Sequence, residues 1–185
     1  MASDDYLRFT AKAAEASALV GNYCDHAEHL EPADPAWIVS ASELLIELAQ
    51  EVAAHESLGL FEVYAERLGT IEAQNVLRRA HSFDGRGSVR GLGNGEAEAS
   101  WRQLQLIQAE HDRHYHPDVF GLSRSDQLRH YSFHLAKLAG AFAARASDEG
   151  LAEEIRERRL PDLLLFGLKL QTVVGQRLPD ESFRN

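Results

Sequence analysis

Cysteine is almost missing from this chain: Cys24 is the only one among 185 residues. No intrachain disulfide can form, and a cysteine-based zinc cage is not expected. Long hydrophobic runs are missing too. The most apolar stretch, LPDLLLFGLKLQTVVG at 160–175, is broken by Asp162, Lys169 and Gln171, well short of the ~20 apolar residues a membrane span needs. The start, MASDDYLRF, lacks the basic region and apolar segment of a secretory signal. Together these absences predict a soluble, cytoplasmic protein with no membrane partner. Positive charge is scarce, with 19 Lys and Arg against 29 Asp and Glu and a net charge of −10. That balance argues against a nucleic-acid polymer as partner, because such binders carry clustered positive charge. It leaves room for a small anionic ligand, since a local basic patch or a bound cation can override the global field.

What is present is helical periodicity. Phe9, Ala13, Ala16, Val20, Tyr23 and Ala27 recur at three- and four-residue spacing. Asp34 before Pro35 predicts a helix start, and WIVSASELLIELAQEVAAHE continues it. Gly59 is expected to separate it from a second amphipathic piece. Further helices are expected at about 96–116, from Ser125 or Asp126 to about 147, over a short charged stretch, and at 161–177. Residues 83–95, FDGRGSVRGLGNG, hold five glycines and read as a flexible loop. No strand or hairpin pattern appears. The fold expectation is all-α: residues 1–185 as a single-domain bundle of roughly six to eight helices.

The chemistry concentrates in AEHDRHYHPDVFGL at 109–122 and LRHYSFHLAKLAG at 128–140. On a helical wheel His111 falls within the apolar stripe of its helix and His114 on the shoulder, while Asp112 leans elsewhere. His130, His134 and Lys137 form one polar row at i, i+4 and i+7. A short connection predicts that these two helices pair antiparallel and bring the histidine pairs to one end of the bundle. Glu51 ends a row of glutamates that drifts toward the core. Asp162 and Lys169 project to the same side of an apolar helix, where a buried charge needs a partner. Two imidazole pairs at helical spacing can each chelate one ion, which makes a divalent metal ion the expected cofactor. His111, His114, His130 and His134 are the candidate ligands, with Asp162 or Glu51 completing the shell. Lys137, Lys169 or a loop arginine is expected to stabilise developing negative charge, and Asp112, Asp118 or Glu110 to orient a proton-transferring histidine.

The segment RLPDLLLFGLKLQTVVGQRLPDE resembles the metal-binding helix of the all-α nucleoside-triphosphate pyrophosphohydrolases, the MazG-like group, in which a Glu-x-x-Asp pair opens an apolar helix. HLAKLAGAFAA is similar to the family's earlier helix, where acids surround a glycine. The resemblance is confined to the C-terminal third. It departs at Arg159, where the upstream acid would stand, and at Leu138 and Ala141 around Gly140, so that only Asp162 matches. Losing these acids removes the oxygen ligands a magnesium site requires. The resemblance therefore implies either the same fold with a histidine-based site or an inactive relative. The leading expectation is a metal-dependent hydrolase of a phosphorylated small molecule such as a nucleotide. The alternatives are a non-catalytic helical module that binds a small molecule or forms a homodimer, and a His/carboxylate redox-metal oxygenase.

Overall fold

The computed structural model of this chain describes residues 2–29, 33–75 and 100–178. The glycine-rich stretch 83–95 lies outside them. Among the described residues the regular elements are helices and there is no strand, so the protein is an all-α bundle. Helix α1 spans Ala2–Glu28, α2 Ala36–His55, α3 Leu60–Gln74, α4 Trp101–Tyr115, α5 Pro117–Phe120 and α6 Arg124–Arg145. A short α7, Ala152–Glu154, runs through a π-helical turn, Ile155–Arg159, into α8, Leu160–Val173.

The helix ends follow from local chemistry. Asp34 accepts a 2.9 Å hydrogen bond from the Ala36 amide at the start of α2. Ser100 and Gln103 form a reciprocal capping box at the start of α4. At α6 the cap is Ser123, which accepts from the Asp126 amide, two or three residues before the expected position. Between α2 and α3 the reversal is made by Ser57 at φ 55°, while Gly59 is an ordinary extended cap. The residue before Pro117 is pushed out of helical geometry. His116 accordingly sits at φ −130°, ψ 48°, and the chain restarts as α5.

Packing places α8 at the centre. Every residue from Leu160 to Gln171 is buried, as an apolar surface all round the helix predicts. It packs on α2, α3, α4 and α6, while α1 lies against α2 and α6. α2 and α8 approach closely at Gly167, whose carbonyl accepts a 2.8 Å hydrogen bond from the buried Ser42 hydroxyl. A Cβ added at Gly167 would stand 2.8 Å from Ile46 Cγ1. The expected pairing of α4 with α6 is replaced by a different arrangement, in which both pack on α8. The amphipathic stripes identified which faces are apolar but not which helix covers them. Among the described residues no helix is long and apolar enough to cross a membrane.

Candidate functional site

A cleft of about 320 Å³ opens where α3, α5, α6 and α8 converge. Its walls carry Arg67 from α3, His116 and Asp118 at the α4–α5 break, His130 and His134 from α6, and Asp162, Phe166 and Lys169 from α8. The i, i+4 spacing on α6 puts His130 and His134 on one face, with ring centroids 4.8 Å apart. The His134 ring leans on Phe166 at 5.0 Å. Burial, reinforced by the neighbouring His130, Lys137 and Lys169, holds the His134 imidazole down at about 4. Burial and then Lys169 also lower His130. Both rings are therefore neutral at pH 7, and neither makes a hydrogen bond to another described residue.

Two buried ion pairs flank the imidazoles. Arg67 reaches Asp162 with Nε at 2.7 Å and Nη2 at 3.3 Å. Lys169 Nζ stands 2.8 Å from Asp112 Oδ1 and lies over the Tyr131 and Phe166 rings. Asp112 also accepts from Gln108 Nε2 at 3.0 Å, and Gln108 Oε1 accepts from the Tyr64 hydroxyl at 2.6 Å. This polar chain is satisfied along its length, which is what permits it inside an apolar core. Burial lifts the Asp112 and Asp162 carboxyls above the usual range, opposed by Lys169 and Arg67 respectively. The sequence expectation that Asp162 and Lys169 share a side and need partners is met, with a separate partner for each.

Other expected site residues fall elsewhere. Glu51 lies outside the cleft and pairs with Lys12 of α1, because the glutamate row of α2 turns toward α1. Lys137 is exposed and lines a separate cavity of about 300 Å³ with Glu154 and Arg159. Asp112 is 5% exposed and engaged by Lys169, so it positions an ammonium instead of orienting a histidine. His111 is fully buried, its Nε2 4.0 Å from Glu72 Oε1 and its ring packed on Tyr115. Burial and the Lys169 charge bring it down to about 3. His114 packs on Tyr115 and does not line the cleft. The six expected ligands thus do not gather round one point, and no group of three or more His, Cys, Asp or Glu side chains among the described residues forms a metal cage.

Sequence reasoning missed Arg67 as a site residue. It stands on an amphipathic helix like any surface arginine, and only the packing of α3 on α8 brings it to Asp162. His116 was in plain view beside Pro117, but its direction depended on the break between α4 and α5. A larger groove of about 700 Å³ between α3 and the π-helical turn is lined by Glu62, Glu66, Glu153 and Glu157 without an imidazole. Arg156 also lines it, one cation against four carboxylates, so this groove suits an anion less well than the smaller cleft does. No protein-family model, curated protein or solved structure matches this chain.

Proposed function

We propose that the α3–α5–α6–α8 cleft binds a phosphorylated small molecule and hydrolyses it with a divalent ion held on His130 and His134. One observation carries this reading: two neutral imidazoles with no hydrogen-bond partner among the described residues share a cleft with two cations that keep donors in reserve. Arg67 spends Nε and Nη2 on Asp162, and among the described residues nothing engages Nη1, which leaves it for a ligand oxygen. Lys169 gives one ion-pair contact to Asp112 and retains two N–H donors. Such donors suit phosphoryl oxygens, whose charge they stabilise as it develops. The imidazoles fit a borderline metal, with the remaining coordination positions left to water or substrate oxygen. A bound divalent ion would supply Lewis-acid polarisation and a more acidic water.

A second reading, a binding protein without catalysis, is favoured because no third His, Cys, Asp or Glu among the described residues joins the two histidines in a metal-holding group. One experiment separates them. Metal content by mass spectrometry after repletion and dialysis is compared between wild type and His130→Ala/His134→Ala. The same proteins are scanned for thermal shifts and phosphate release with a panel of phosphorylated small molecules. The hydrolase reading expects about one ion per wild-type chain, its loss in the folded double variant, and metal-dependent phosphate release. Thermal shifts without retained metal or turnover would leave the binding protein. No shift with any phosphorylated compound would overturn both.

A further inference from the structure

α1 and α6 form an outer layer whose outward face is covered by no other described helix. Tyr6 packs near Phe142 at one end, with ring centroids 6.3 Å apart, and Glu28 pairs with Arg129 at the other, so the two helices run antiparallel. Their inner faces hold Phe9, Ala13, Val20, Leu135 and Phe142. Their outer faces are apolar as well. On α1, Leu7, Ala11, Ala14 and Ala18 are all exposed, Leu7 by 55%. On α6, Phe133, Ala136, Gly140 and Ala144 are exposed, Phe133 by 65%. The α1 spacing of four, three and four is the seam that one helix presents to another in a bundle. A phenylalanine and a leucine left in water on a lattice of small residues are a contact surface in search of a partner.

We propose that this face joins two copies of the chain about a twofold axis running along the helices, α1 of each copy lying on α6 of the other. Such an axis moves α1 across to the partner's α6 without changing its height along the bundle, and the pairing is self-complementary. Size then matches. Phe133 stands at roughly the height of Ala18, and Leu7 near Gly140, where an added Cβ would find nothing within 4 Å. Each large side chain meets a small one. Charge matches too: exposed Glu15 on α1 stands near the height of Lys137 on α6, and neither has an ionic partner among the described residues. The extent is adequate, since α6 has 22 residues and is therefore roughly 33 Å long. Two such helices side by side present an area approaching the ~800 Å² per partner of an ordinary interface. This inference is independent of the reading of the cleft.

The test is sedimentation equilibrium of the full chain at micromolar concentration, with circular dichroism as the folding control. The wild type is expected to be a dimer. Phe133→Glu, a change at an exposed position, should give a folded monomer. Glu15→Lys should weaken the dimer several-fold, and Glu15→Lys/Lys137→Glu should restore it, which only an α1-to-α6 pairing explains. A wild type that stays monomeric overturns the proposal, because the face is then covered by another part of the chain or by nothing. A dimer unaffected by Phe133→Glu places the interface on a different surface and overturns it equally.

Discussion

Arg67 and Asp162 show how much a single residue's meaning depends on its partner. Their side chains are only 12% and 10% exposed, and the pair is bidentate. A buried ion pair adds little over an apolar pair of the same shape, because desolvation offsets the Coulomb attraction, yet removing one member strands a charge. Arg67→Met should therefore destabilise the protein by about 3–5 kcal/mol by the usual cost of an uncompensated buried charge. Arg67→Met/Asp162→Leu should recover most of that loss. Chemical denaturation of the three proteins checks this, and a double variant no more stable than the single would show that the pair has no such role. The sequence predicted the need for a partner at Asp162 from its place on an apolar helix. It could not name Arg67, which is 95 residues away in the chain.

At the level of elements, the helices were legible because their caps and stripes are local. Asp34 and the break at Pro117 each act within four residues. The π-helical turn before α8 was not legible, since its five residues, IRERR, are mostly charged and too short to carry a stripe whose period could be read. Nor was the fit of α2 on α8, which hinges on Gly167. With Ile46 Cγ1 2.8 Å and the Ser42 carbonyl oxygen 3.3 Å from a Cβ built there, a methyl group must push the helices apart. Gly167→Ala should cost about 1–3 kcal/mol, the range of overpacked cores, despite the better helix propensity of alanine. Thermal melting of the variant measures it. An unchanged or raised midpoint would mean that α2 and α8 can separate slightly at no cost.

Across the whole molecule, neutral histidines inside the fold couple stability to pH. His111 is held at about 3 and His134 at about 4, both below the 6.5 of a free imidazole. Between those values the unfolded chain binds protons that the folded chain refuses. Stability from this source is thus complete above pH 6.5 and falls as the pH drops toward 4. At pH 5 the fully buried His111 alone should account for about 2 kcal/mol of loss relative to neutral pH. Urea denaturation of wild type and His111→Asn at pH 7 and pH 5 tests this. The variant should start less stable yet lose less on acidification, and parallel losses would show that His111 is protonated in the fold.

Local physics, written into the order of residues, determined that this chain is helical, where most helices begin, that α8 is central and that His130 and His134 share a face. Periodicity and capping act over a few residues, so they can be read along a line. Only the tertiary structure decided that α8 stands between α4 and α6, that Arg67 meets Asp162 and Lys169 meets Asp112, and that His111 and Glu51 lie outside the cleft. An apolar stripe is satisfied by any apolar partner of suitable shape. Which helix covers it, and hence which charges are buried together, is settled by packing among all of them at once.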